Sequence, residues 1–325
     1  GFRRFSAEGQ YLGTVGRSGS GPGEYVSSDG GLVVLTDGRI VLRDPGNARL
    51  SVYAADGAYL NAWPIRGGRS TSMPMVPALD GGFYNPIFGG GQPVRLVRYA
   101  PDGIPMDTLP SPDLGVETAT VRAAVGVVSS TWPVPFTQTS LWNLHPGGFF
   151  ITAMSGQYAL YLRHPDGRLL RISKDETPVL VASDERAAAE ERVTRAMRRL
   201  DPSWRWNGDP IPSTKPILRE LHAAEDGRIW VLLHQPGERV PSEERDPDPA
   251  GGAPLPQFRE VTTFDVFEQD GRYLGRITAP VGFSTSPRPV FRGDMVWALE
   301  EDTVGVQRLT RYHIVTEKGS AQTAH

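Results

Sequence analysis

Along most of the chain, short apolar or alternating runs are broken at regular intervals by Asp-Gly or Gly-Gly pairs. That is the pattern of β-strands joined by tight turns. Two kinds of turn recur. The first follows an aromatic residue or a histidine by three or four positions. It occurs as Phe5-Ser-Ala-Glu8-Gly9-Gln-Tyr11-Leu12, Tyr53-Ala-Ala-Asp56-Gly57-Ala-Tyr59-Leu60, Tyr99-Ala-Pro-Asp102-Gly103, His164-Pro-Asp166-Gly167-Arg-Leu169-Leu170 and Phe267-Glu-Gln-Asp270-Gly271-Arg-Tyr273-Leu274. The second lies between more apolar runs: Asp37-Gly38, Asp80-Gly81-Gly82, Pro146-Gly147-Gly148, Asp226-Gly227 and Arg292-Gly293-Asp294. Glycine adopts positive φ at little steric cost, so Asp-Gly between strands is a strong hairpin signal.

The two kinds alternate, with 19 residues from Gly38 to Gly57, 21 from Gly82 to Gly103 and 19 from Gly148 to Gly167. Each pair of turns marks four antiparallel strands, the inner two more buried and the outer two more polar. A four-stranded sheet repeated about an axis is a propeller blade. The reading is therefore an all-β, six-bladed β-propeller occupying residues 1–325 as one domain, with one inserted α-helix. The sixth blade is counted from a degraded first-kind turn at Lys318-Gly319 and from residues 2–16 taken as the outer half of a blade. Five blades, closed by pairing the C-terminal strands with residues 2–16, is the alternative.

Three segments break the period. Residues 110–140 are rich in Pro, Thr and Val, and residues 174–216 carry a predicted helix over 184–200. Asp184 is its expected N-cap, Arg195, Arg198 and Arg199 crowd its last turns, and Ala189, Val193, Ala196, Met197 and Leu200 form one apolar stripe. Trp204 and Trp206 follow. Such a helix either folds against the propeller, with the tryptophans covering the joint, or docks a partner, since arginine and tryptophan dominate binding hot spots. Residues 236–257, with six prolines and an acidic excess, read as a protruding loop.

Composition narrows the classes of function. Glycine plus proline come to 66 of 325 residues (37 + 29), about a fifth, in keeping with a turn-rich fold. The 34 basic against 37 acidic side chains leave a net charge of −3, which argues against nucleic acid as a partner. No 18-residue apolar run suits a transmembrane helix. The absence of cysteine excludes thiolate chemistry and disulfides. The opening Gly1-Phe2-Arg3 carries no leader, so a signal peptide or lipid anchor is expected upstream.

The glycine-rich stretch Val15-Gly16-Arg-Ser-Gly19-Ser-Gly21-Pro-Gly23-Glu-Tyr25 and the following Asp37-Gly-Arg-Ile-Val-Leu-Arg-Asp44-Pro-Gly-Asn47-Ala-Arg49-Leu-Ser-Val-Tyr53 resemble NHL-type six-bladed β-propellers. The ending, from Asp294-Met-Val-Trp297 through Asp302-Thr-Val-Gly305-Val306 to Arg311-Tyr312, is similar to the last blade of exported bacterial propellers. That broad group includes protein-binding modules, RNA-binding modules and metal-dependent lyases or lactonases, so the fold implied does not decide the function.

Candidate chemistry is sparse. The glycine-rich stretch has no Gly-Lys-Ser/Thr and no helix after it, which argues against phosphate binding. Asp44, Asn47 and Arg49 are read as satisfying turn backbone groups. No Gly-x-Ser-x-Gly elbow is present. His145 and His222 fall just before second-kind turns and His234 ends the strand after His222, so these three are the candidate metal ligands. A tetrahedral site needs three or four converging donors, and no equivalent third position exists in the other blades. The expected function is a non-catalytic interaction or scaffold protein without a cofactor, binding a protein partner through Arg195, Arg198, Arg199, Trp204 and Trp206. The expected setting is the periplasm or another extracytoplasmic space, as an extrinsic subunit on a membrane complex such as a photosynthetic or respiratory assembly. The alternative is a metal-dependent hydrolase or lyase acting in the propeller channel.

Overall fold

The computed structural model describes residues 2–26, 31–66, 69–70, 73–88, 93–241, 254–301 and 306–315. These residues form an all-β fold built of propeller-type blades, with one α-helix. They cluster into two compact units, one comprising Gly1–Asp113 with Leu144–Gly148, the other Leu114–Asn143 with Phe149–His325.

The repeated turn explains the repeated sheet. At Asp37, Asp56, Asp80, Asp102, Asp166, Asp226 and Asp270 the carboxylate Oδ1 accepts the N–H two residues on, at 2.9–3.1 Å. The intervening glycine takes φ between +83° and +92° in each case. An aspartate that bonds its own backbone, next to a residue free to turn left-handed, makes the reversal local and independent of the rest of the chain. At Gly103 the demand is also steric, because a Cβ there would lie 2.1 Å from the Trp63 ring.

The first unit holds two blades. One has strands Leu32–Val34, Ile40–Asp44, Arg49–Tyr53 and Tyr59–Pro64 in that order. The next has Val76–Pro77, Phe83–Phe88, Arg95–Tyr99 and Pro105–Pro110, with Arg69–Ser70 alongside Phe83–Phe88. They pack face to face through Val41, Leu50, Val52 and Trp63 against Phe83, Ile87 and Tyr99. Asp44, Asn47 and Arg49 hold the glycine-rich stretch. Arg49 donates to the carbonyls of Ser20, Gly21 and Glu24, and Asn47 donates to that of Gly19. The Gly21 N–H goes to the Glu24 carboxylate and the Gly19 N–H to the Tyr25 carbonyl, so neither faces outward to cradle an anion.

The second unit holds three blades, save that Leu144, the last residue of their first strand, is counted in the first unit. Their strands are Ser140–Leu144, Phe150–Met154, Ala159–Arg163 and Leu169–Ser173; then Leu218–Ala223, Ile229–Leu233, Thr263–Phe267 and Tyr273–Thr278; then Val290–Arg292, Met295–Glu301 and Gln307–His313. Every residue of Ile229–Leu233 and Thr263–Phe267 is buried, whereas Tyr273–Thr278 is largely exposed. Inner strands covered on both faces read as continuous apolar runs, and outer strands alternate. Ile151, Leu160 and Leu162 of the third blade pack on Leu218 and Val231 of the fourth, whose Trp230 and Phe264 pack on Phe291 of the fifth.

The count of six blades is corrected to five. The Glu8-Gly9 turn builds only the hairpin Phe2–Phe5 with Tyr11–Val15, which pairs with no further strand among the described residues. Counting every turn of the first kind therefore overcounts, because such a turn closes a hairpin whether or not inner strands accompany it. Lys318-Gly319 and the 302–305 motif lie outside the described residues. The pairing of C-terminal strands with residues 2–16, expected for five blades, is not observed either; Gln307–His313 pairs only with Met295–Glu301 among described strands.

Trp230 is 1% exposed, stacked on Phe291 at a centroid distance of 4.2 Å and edge-on to Phe264 at 5.7 Å. Trp230→Ala is expected to cost about 3–5 kcal/mol in urea unfolding, by loss of buried area and the cavity left behind.

Candidate functional site

The segments that break the repeat build the feature most distinct from a plain stack of blades. In the chain, residues 110–140 run from the last strand of the second blade to the first of the third, and residues 174–216 from the last strand of the third to the first of the fourth. The former folds into a hairpin, Thr120–Val125 paired with Val128–Pro133. The latter holds the helix, Ser183–Arg198, and leaves and returns on adjacent chains: the Lys215 N–H donates to the Val179 carbonyl and the Val181 N–H to that of Ser213. Hairpin and helix share one core. Val121, Ala123 and Val134 meet Val193, Met197, Trp204 and Ile211, with Ala189, Ala196, Leu200, Trp132 and Trp206 around them. The predicted stripe is thus the face that packs.

The helix differs from expectation at its start. Ala182, not Asp184, is the N-cap, and the helix begins at Ser183. Asp184 lies inside the first turn, where it accepts the Glu185 N–H at 3.0 Å and pairs with Arg239 at 3.1 Å. The carboxylate still faces the positive end of the helix dipole, which is the favourable placement.

This body is tied to the fourth blade by a buried ionic cluster that sequence reading missed. The Lys215 ammonium, with 0% side-chain exposure, lies 2.6 Å from Glu185 Oε1 and 2.8 Å from Glu260 Oε1. It also donates to the Gln235 carbonyl at 2.9 Å. An ammonium has three donors, and here three acceptors meet them. The Phe136 ring covers the ammonium at 5.2 Å from a backbone with φ of +60°, an uncommon conformation for a bulky residue. Glu260 completes the cluster by accepting the Gln235 N–H at 2.9 Å and meeting His234 Nδ1 at 3.1 Å. Burial works to raise the Glu260 carboxyl; His234, Lys215 and the Gln235 N–H overcome it and hold it at about 2. Gly237 is required beside it, since a Cβ there would lie 2.1 Å from Glu185 Oε1.

A second cluster joins the third blade to the fourth. The fully buried Asp265 carboxylate receives the Tyr158 hydroxyl at 2.7 Å, Lys174 at 3.0 Å, the Tyr273 hydroxyl at 3.0 Å and Arg276 Nε at 2.8 Å. Burial opposes its charge, but Arg276, Tyr158 and Lys174 prevail and the carboxyl sits at about 2. Tyr158, Lys174 and Glu176 line an open cleft of about 570 Å³. Burial and the neighbouring Asp265 push the Tyr158 hydroxyl well above its ordinary range, the opposite of what a phenolate base needs. Lys174 lies between the Tyr158 and Tyr273 rings, at 5.6 and 5.0 Å from their centroids, and is committed to this junction.

The candidate histidines do not assemble. His145 belongs to the first unit, where its buried Nδ1 accepts the Gly147 N–H at 2.9 Å. His222 and His234 sit at opposite ends of one strand pair, His222 facing Trp230 in register and His234 just beyond Leu233. His222 is 1% exposed against Phe264 and Phe291, its Nε2 is 3.3 Å from Glu220, and burial pushes its pKa down. Among the described residues no group of three or more His, Asp or Glu side chains is placed to hold a metal ion. Between Glu185, Glu260 and His234, the acid-rich spot closest to a metal site in composition, the cation is Lys215 itself.

The residues singled out for partner binding divide. Trp204 is 4% exposed and donates from Nε1 to the Arg122 carbonyl, so it belongs to the joint and offers no outer face. Trp206 is half-buried, bonded to the Gly208 and Asp209 carbonyls. Arg195 is half-buried near Glu191 at 3.9 Å. Arg198 and Arg199 are exposed, as is Arg205, with Arg198 Nε donating to the Trp204 carbonyl. The reading of 236–257 as a loop is corrected at its ends: Gly237–Arg239 pairs with Phe258–Glu260, and the Pro254 carbonyl accepts from Arg192. Residues 242–253 lie outside the described residues.

No protein-family profile matches the chain, and no curated protein does. Among solved structures, a member of the DUF4221 family from Bacteroides vulgatus is 9% identical, with a TM-score of 0.42 over 96% of this chain and 86% of that one. A catalytically inactive virginiamycin B lyase from Staphylococcus aureus with quinupristin is 9% identical, TM-score 0.34, over 97% and 78%. A gluconolactonase from Xanthomonas campestris is 16% identical, TM-score 0.34, over 83% and 68%. At this level of likeness they carry no argument about activity.

Lys215→Met, which leaves Glu185 and Glu260 buried without their cation, is expected to cost about 3–5 kcal/mol in urea unfolding. The acid limb of stability follows from Glu260 and Asp265. Both carboxyls are held below their ordinary values of 4.5 and 3.8, so their contribution is complete above about pH 4.5 and is lost as pH falls towards 2. Urea midpoints are expected to drop through that window, with a shallower drop in Glu260→Gln.

Proposed function

We propose that the chain is a non-catalytic interaction module, an extrinsic extracytoplasmic subunit that docks on a larger protein complex at a membrane. The observation that carries the reading is the composite body. Two insertions lying far apart in sequence share one apolar core and are bolted to the fourth blade through Lys215. A surface held this rigidly loses little side-chain and backbone entropy on binding, which favours recognition. The partner-facing groups are Arg198, Arg199 and the outer edge of Trp206, joined by Arg205, and the complementary surface is acidic. Arg195 supports this patch from beside Glu191. Likeness of the blade motifs to exported bacterial propellers supports the extracytoplasmic setting. A photosynthetic or respiratory assembly is the kind of partner in view.

The test is native electrophoresis after mild detergent extraction from the source cells. The protein is expected to migrate in a complex larger than its own 35.5 kDa, and Arg198→Glu with Arg199→Glu to release it while leaving its melting temperature unchanged. A free monomer in the wild type would overturn the reading. A stoichiometric calcium or zinc ion in the purified protein would instead support a metal-dependent hydrolase or lyase.

A further inference from the structure

The hairpin of the composite body outruns the core it was built on. Its register pairs Val121 with Trp132, Ala123 with Ser130 and Val125 with Val128, so these six positions share one face. At the base that face is covered: Val121 is 1% and Ala123 2% exposed. Two rungs further on it is bare. Val125 is 50%, Val128 56% and Val127, in the turn, 103% exposed. No Asp, Glu, Lys or Arg occurs from Ala123 to Leu162, so nothing at the tip repels a low-dielectric medium.

The base of the hairpin is different. Arg122 is exposed there, and the segment that follows the helix is held against it: Trp204 Nε1 and Asn207 Nδ2 donate to the Arg122 carbonyl at 2.9 and 2.7 Å, which sets the exposed Arg205 close by. At about 3.3 Å per residue, Val125 stands roughly 10 Å beyond Arg122, with the two-residue turn just past it. An apolar tip of that reach above a basic base matches the depth at which interfacial elements enter the headgroup and acyl boundary, about 5–10 Å. Cross-strand pairing satisfies the inward-facing backbone groups of the hairpin, and its open edges require that the tip stop in the hydrated headgroup layer.

We propose that the Val125-Gly126-Val127-Val128 tip enters the headgroup layer of an anionic lipid bilayer, with Arg122 and Arg205 meeting the lipid phosphates. Protein pockets select tryptophan, tyrosine and arginine as anchors, and valine is under-represented among such hot spots. A hydrocarbon phase accepts any aliphatic side chain. Of the groups assigned to the protein partner above, this contact uses only Arg205; the hairpin tip and Arg122 lie elsewhere on the same body. Three valines make a weak anchor by themselves, and stable attachment takes a second signal.

The full chain is tested by co-sedimentation with vesicles of phosphatidylcholine alone and of phosphatidylcholine with phosphatidylglycerol. Binding to the anionic vesicles is expected to be about tenfold stronger or more, and to weaken in high salt, as two arginines near the surface imply. Val127→Asp is expected to abolish binding without changing the melting temperature, and Arg122→Glu to remove only the preference for anionic lipid. Because the chain has no cysteine, Val127→Cys provides a single thiol for an environment-sensitive dye. Its emission is expected to shift to the blue on vesicles, whereas the same dye at Asp166→Cys stays unshifted. The proposal is overturned by absence of vesicle binding, by binding that survives Val127→Asp, or by a tip variant that detaches the protein from its complex while vesicles remain unbound.

Discussion

The Lys215 ammonium is the constraint on which the distinctive part of this molecule rests. It is cut off from water, so its charge is tolerable only while Glu185, Glu260 and the Gln235 carbonyl surround it. Each of those partners comes from a different place: the helix, the end of the Phe258–Glu260 strand, and the segment that follows Ile229–Leu233. Geometry good enough to satisfy a buried ion therefore fixes the helix on the blade, the strand end beside it and the Phe136 ring above, all at once. Replacing such a cluster by apolar groups need not lower stability, so its value lies in the single arrangement it enforces.

Around that point the chemistry is one of joints. The Asp265 carboxylate gathers donors from the third and fourth blades, Arg49 and Asn47 gather carbonyls of the glycine-rich stretch, and Trp204 caps the hairpin's Arg122 carbonyl. These charged and aromatic side chains are engaged with one another and with backbone carbonyls at the joints. The exposed arginines Arg198 and Arg199 at the helix end and the exposed valines at the hairpin tip both belong to the composite body.

The blade architecture was legible because its cause is local. An aspartate bonding the N–H two residues on, with glycine between, needs only three neighbouring residues, and the pattern survives wherever those residues recur. The helix stripe was legible for the same reason, since Val193 and Met197 lie one turn apart. Where the outcome depended on distant residues, sequence alone was silent or misled. The Glu8-Gly9 turn has the local signature of a blade but joins no further strand among the described residues. Asp184 has the chemistry of an N-cap but finds Arg239, 55 positions away. Lys215 sits in a proline-bounded segment with no periodicity, and its carboxylate partners lie 30 positions before it and 45 after, so only a blade folded beneath it reveals the pairing. Trp204 and Trp206 were read with the right neighbours, yet one became core and the other a half-covered edge.

Through Lys215 the two insertions and the fourth blade behave as one preformed unit. Amide hydrogen exchange tests it most directly. Amides near Val193 and Met197 in the helix are expected to open with the same free energy as those of Ile229–Leu233, and Lys215→Met to uncouple the two by exposing the helix first. A helix that exchanges near its free rate in the wild-type protein, while Ile229–Leu233 stays protected, would contradict it.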